Sequence, residues 1–131
     1  MEEFKTKDDE LIMYCIFSKE AIKAMGGNRG KLASMAGHAY LHAYWNASIN
    51  TWVIASEYRN SDAAVKVTLY VDTDKELLEI WGYIRNSRIG KTLVIDAGRT
   101  VFDKPTTCCI GFGPIKRSEV PDAIKELKLL I

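Results

Sequence analysis

The sequence predicts an α/β domain whose mainly parallel sheet is covered by helices on both faces. Three observations predict it. The elements alternate, in the order strand, helix, helix, strand, helix, strand, strand, helix, and such alternation builds parallel sheets between helical layers. Leu11 to Phe17, LIMYCIF, is continuously apolar, as a strand covered on both faces must be. The segment from Thr100 to Pro105 is too short for a parallel crossover, so the last two strands should be antiparallel neighbours.

Each element has its own signal. Residues 1–10 are polar and charged and read as a lead-in; residues 11–131 read as one domain, long enough for a real core. After the first strand, Ser18 to Ala24 suits a short helical turn, and Met25 to Gly30, MGGNRG, suits a loop. Lys31 to Trp45 reads as a helix with an apolar stripe of Leu32, Met35, Ala36, Ala39 and Ala43, whose small residues would let it sit close to a sheet. Lys31, Ser34, His38 and His42 line one edge of it. Asn46 to Asn50 looks like a break, with Asn50 capping a second helix, Thr51 to Tyr58, that turns Trp52 and Ala55 inward, although WVIA also suits a strand.

Ala64 to Val71 alternates, with Val65, Val67, Leu69 and Val71 on one face, and is expected to be a strand. Thr73 and Glu76 form a capping box for a helix with Leu77, Leu78, Trp81 and Ile84 inward. Arg85 and Arg88 would complement its C-terminal dipole, and Gly90 would stop it. Thr92 to Ile95 is an apolar strand ending at Asp96, followed by Ala97, Gly98, Arg99 and Thr100. A buried strand that stops at an acid and a glycine delivers a carboxylate to a loop, where α/β sites are built. Asp103 to Pro105 turns the chain, Thr106 to Phe112 is the last strand, and Gly113-Pro114 closes it. Ser118 and Pro121 suit the start of a final helix with Ile124 and Leu127 inward, and the LKLLI tail should dock on the core.

The formal net charge is +1, so nothing global demands a nucleic-acid or membrane partner, although a local basic patch is allowed. No apolar run approaches the roughly 20 residues needed to span a bilayer. MEEFKTKDDE lacks the basic start and apolar core of a secretion signal, so a cytoplasmic location is expected. Cys15, Cys108 and Cys109 lack the spacing of a disulfide framework or zinc site and read as buried free thiols. The adjacent pair should point to opposite faces of its strand.

The glycine loop fails the Walker A pattern, with three residues rather than four between Gly26 and Gly30 and Leu32 in the place of the hydroxyl residue. Arg29 and Lys31 at a helix start still suit an anion. His38 and His42 have a metal-binding spacing but no further ligand nearby, so no metal is expected. No GxSxG elbow is present, and strand-borne cysteines make weak nucleophile candidates. The aromatic residues are accounted for by core packing rather than by base stacking.

Taken together, GKLASMAGHA at 30–39, KVTLYVDTDKELLEI at 66–80, TLVIDAGRT at 92–100 and IGFGP at 110–114 resemble the type 2, archaeal and eukaryotic, peptidyl-tRNA hydrolases over nearly the whole chain. The resemblance implies a three-layer α/β/α domain with a four-stranded mixed sheet, often dimeric, that hydrolyses the ester between a peptide and tRNA without an organic cofactor. It places the family's functional residues at Lys31, His38, Asp96, Thr100 and Thr106. Met35 stands where the family usually has glutamine, and Cys108 where it usually has threonine. Glutamine donates and accepts hydrogen bonds, whereas a thioether is only a weak acceptor.

The residues suit such chemistry. Lys31 and Arg29 can meet phosphate or oxyanion charge, Asp96 can act as general base, and Thr100 and Thr106 can position water. Arg29, Gly30, Met35, Arg99 and Cys108 are expected around the substrate. Arg99 has two open roles, a clamp on Asp96 or a contact to RNA. The expected function is hydrolysis of peptidyl-tRNA. The departures at Met35 and Cys108 motivate a second reading, an RNA- or protein-binding module using the same cleft, and the glycine loop a third, a nucleotide-binding module.

Overall fold

The computed structural model describes residues 7–96 and 106–131, with the side chains of Lys7 and Thr106 left aside. The expected Gly98–Thr100 loop and the Asp103–Pro105 turn lie outside the described residues.

The first strand, β1 (Leu11–Ser18), is buried along nearly its whole length. Ser18 ends it and accepts the Ala21 N–H, starting α1 (Lys19–Ala24). Two helices follow, α2 (Arg29–Asn50) and α3 (Trp52–Arg59), then β2 (Lys66–Val71), α4 (Asp74–Ile84), β3 (Lys91–Asp96) and β4 (Thr106–Lys116). A single-turn helix, α5 (Asp122–Lys125), precedes a two-residue strand, β5 (Lys128–Leu129).

The fold is α/β with a mixed sheet, but the described residues form five strands rather than four, in the order β3-β4-β1-β2-β5. Nor is the sheet mostly parallel. Only β1 and β2 pair in parallel; β4 is antiparallel to both β1 and β3, and β5 is antiparallel to β2. The alternation was a sound guide to strand direction, since β1, β2 and β3 all run the same way. It could not show that β4 enters between β1 and β3 and so replaces a parallel contact by two antiparallel ones. The expected antiparallel pairing of the last two long strands is found.

Continuous apolarity in β1 serves two cores. Ile12, Tyr14 and Ile16 pack with Leu77, Ile80 and Ile84 of α4. Met13, Cys15 and Phe17 belong to clusters that include Ala39 and Ala43 of α2. On α4 the inward residues are Leu77, Ile80 and Ile84, with Trp81 packed alongside; Leu78 is exposed. Thr73 caps this helix by accepting the Glu76 N–H.

The alanine stripe of α2 does bring it close to the sheet. Ala39, Ala43 and Ala47 are fully buried. They are received by glycines: a Cβ on Gly111 would lie 2.1 Å from the Ala39 carbonyl oxygen, and one on Gly90 2.5 Å from that of Ala43. Gly90 is therefore a packing position rather than the stop of α4, which ends at Ile84. The same stripe carries α2 through the expected break at Asn46–Asn50, because Ala47 continues the burial of Ala43 and Asn46 accepts the Lys91 N–H at 3.1 Å. Thr51, not Asn50, marks the junction with α3. Ala55 and Tyr58 turn inward there, while Trp52 is 68% exposed, against expectation.

Beyond Gly113-Pro114 β4 continues to Lys116, because Ile115 and Lys116 still pair with Ile12 and Leu11. The C-terminal LKLLI docks only in part, through Leu127 and Leu130, with Leu129 and Ile131 exposed, and it also pairs, Leu129 and Lys128 with Leu69 and Tyr70. Among the described residues no helix is long and apolar enough to cross a membrane.

Candidate active site

Asn28 fixes the start of α2 by accepting the Lys31 N–H through its side chain at 2.9 Å. The helix thus begins at Arg29, inside what the glycines had suggested was loop, and Lys31 sits in its first turn. Asp96 is the last residue of β3, only 8% exposed. Lys31 Nζ donates to Asp96 Oδ2 at 2.5 Å, with both side chains nearly withdrawn from water. Two opposite charges at that depth compensate each other, and removing either takes away that compensation. An ammonium has three N–H donors, so one bond to Asp96 leaves donors for a substrate oxygen. The pair therefore joins a carboxylate able to take a proton with a cation able to meet a developing oxyanion.

Cys108 lies against this pair. Val94 pairs with Cys109 and Ile95 with Thr107, so Cys108 is an extra residue in β4. The bulge overturns the expected opposite orientation of the two thiols: both join one cluster with Cys15, Phe17, Met25 and Val94. All three cysteines are buried thiols outside any disulfide, as expected. Burial pushes the Cys108 thiol up to about 11, with Cys109 adding to the effect. It is protonated at neutral pH and is no nucleophile there. Met35 packs against the same cluster, and its carbonyl oxygen accepts from Cys109 Sγ at 3.7 Å.

Arg29 and Gly30 are exposed in the first turn of α2. Arg29 lines a small cleft of about 150 Å³ with Ile22, Met25 and Leu32. His38 shares an edge of α2 with Lys31 but lies seven residues further on, about 10 Å along the axis. Its ring stacks on that of His42, centroids 4.0 Å apart and planes within 4°. Loss of water, then the neighbouring His42, holds His38 below its usual value. The sequence-predicted Arg99 and Thr100, and the side chain of Thr106, fall outside the described residues.

Sequence reasoning missed one feature. Trp45 is 51% exposed and packs its ring 5.0 Å from that of His42, tilted 59° to it. The signal was present as the 38, 42, 45 spacing on the helix edge opposite the buried alanines, but aromatic bulk had been assigned to the core.

Fold and site together define an α/β protein in which a strand-end carboxylate is held by a helix-borne ammonium. The family model for peptidyl-tRNA hydrolase PTH2 matches residues 13–130, and the chain belongs to that family. A peptidyl-tRNA hydrolase of Methanococcus maripaludis is 35% identical over 102 residues, covering 78% of this chain and 87% of the relative. One from Methanocaldococcus jannaschii is 27% identical over 81% of this chain and 91% of its own length. A probable peptidyl-tRNA hydrolase 2 of Drosophila melanogaster is 28% identical over 78% of this chain and 54% of its own length.

Proposed function

We propose that this chain hydrolyses the ester that joins a peptide to tRNA, releasing peptide and free tRNA. The buried Lys31–Asp96 pair carries the reading, in a chain whose relatives are named for that reaction. Water attacks the ester carbonyl and gives its proton to the Asp96 carboxylate. Lys31 Nζ stabilises the negative charge that forms on the carbonyl oxygen. Collapse of the tetrahedral intermediate expels the ribose oxygen, which recovers the proton from Asp96.

Thr100 and Thr106 are assigned to positioning the water, and Arg29 to a phosphate near the scissile bond. His38 is assigned to the tRNA side of the site. Gly30, Arg99, Met35 and Cys108 complete its surroundings. Family membership and the Lys31–Asp96 pair favour the enzyme over a binding module, since the substituted Met35 and Cys108 pack without displacing that pair. The substrate argues for a cytoplasmic location. Exposed Ile49, Trp52 and Val53 at the α2–α3 junction support self-association, which sedimentation at varied concentration tests.

The deciding assay follows release of labelled N-acetyl-aminoacyl product from its tRNA ester. Wild-type turnover that falls about 100-fold or more in D96N and K31A supports the assignment. A folded wild-type protein that releases no product from intact substrate overturns it.

A further inference from the structure

We propose that the neighbouring rings of His38, His42 and Trp45 form a platform for the unpaired nucleotides at the 3′ end of tRNA, running from the Lys31–Asp96 pair towards Arg88 and Lys91. The inference rests on the hydrolase reading, which supplies the substrate, and adds where its single-stranded end lies.

Two bonds align α2 with the edge strand β3. Lys31 bonds Asp96 at one end of β3, and Asn46 accepts the Lys91 N–H at the other. The rings lie between these anchors on the same helix edge: His38, His42 and Trp45 are each within about 40° of Lys31 around an ideal helix. They face away from Ala39, Ala43 and Ala47, which are buried against the sheet. Lys31 to Trp45 spans about 21 Å along the axis. That length accommodates a few unpaired nucleotides, whose phosphates repeat every ~3.4 Å when stacked and farther apart when splayed.

The rings are ordered as a platform. His38 and His42 stack face to face, and the half-exposed Trp45 tilts 59° against His42. Every nucleobase has a π face, so such rings bind single strands with little regard to sequence. Charge is arranged to match. Leu32 to Ser56 contains no Lys, Arg, Asp or Glu, so no carboxylate of α2 repels the strand beyond Lys31. Lys31 stands at one end of the platform. At the other stands the exposed Arg88, beside Lys91, whose ammonium donates to the Ser87 and Ile89 carbonyl oxygens while its backbone N–H bonds Asn46. Loss of water around His38 favours its neutral form, so its ring offers a π face rather than a second cation.

The test measures binding of fluorescently labelled, deacylated tRNA, and of the same tRNA trimmed of its unpaired 3′ nucleotides, to the full chain. Stacking on one ring contributes about 1–3 kcal/mol, so W45A should raise Kd for intact tRNA roughly 5- to 150-fold. W45F, which keeps an aromatic face, should retain most of the affinity, and H42A should act in the same direction as W45A. Trimmed tRNA should bind W45A and wild type alike. Equal weakening of intact and trimmed tRNA, or unchanged affinity for intact tRNA in W45A, would overturn the platform. So would a W45A variant altered only in its sedimentation, which would make this face a protein contact. Because binding is read without turnover, a wild type that discriminates intact from trimmed tRNA through Trp45 but releases no peptide would refute the hydrolase reading alone.

Discussion

Lys31 and Asp96 stand 65 positions apart, and their value to the molecule depends on meeting. Replacing Lys31 by methionine keeps the length of the side chain but takes the compensating cation from a buried carboxylate. The expected cost is about 3–5 kcal/mol, read from urea unfolding, with much of it recovered in K31M/D96L, where neither charge remains. Cys108 should resist iodoacetamide at pH 8 in the folded protein and react quickly in urea, because its thiol titrates near 11 when buried. His38 is held below the ordinary 6.5, so the unfolded chain takes up its proton first as pH falls. Its stability contribution is therefore present above pH 6.5 and lost below it. An NMR titration should place the His38 midpoint below 6.5, and H42A should move it part of the way back. The acid, the cation and the helix edge carrying His38 were all legible in the sequence, because each is announced by local pattern. The bulge that turns Cys108 and Cys109 to one side was not, because it arises from pairing with Val94 and Ile95 on another strand.

At the scale of the element, α2 organises the site. It holds Lys31 in its first turn, the ring stack along its edge, and an alanine stripe beneath. Small residues on both sides set the depth of its contact with the sheet. G111A would drive a methyl group into the Ala39 carbonyl, and the helix could yield only by moving off β4. Overpacking of this kind is expected to cost about 1–3 kcal/mol, seen as a lower urea midpoint, and to reduce turnover because Lys31 moves with the helix. The alanine half of this contact could be read from the spacing. The glycine half could not: Gly90 looked like a helix stop and Gly111 like an ordinary strand residue, until the helix backbone was found against both. The continuation of α2 through Asn46 was hidden for the same reason, since its side-chain partner, the Lys91 N–H, comes from 45 positions further along the chain.

At the scale of the whole molecule, the layers are tied by a few buried polar contacts as well as by two apolar cores. Ser18, at the end of β1, accepts from the Ala21 N–H and donates to Asp74 at the start of α4. S18A removes both bonds, one of them to a half-buried carboxylate, and should cost about 1–3 kcal/mol in thermal or urea unfolding, a joint between layers rather than a detail of one helix. By itself the sequence determined the α/β class, the identity and order of the four long strands, their directions, the strand-end acid and the helix-start lysine. These follow from periodicity, capping and turn residues, which act within a few positions. Only the tertiary structure decided that β4 lies between β1 and β3, that the chain end adds a fifth strand, that Trp45 faces outward beside the histidines, and that Lys31 reaches Asp96. Each of those depends on contacts between segments far apart in the chain, where hydrogen-bond pairing and close packing select among arrangements that local pattern leaves equivalent.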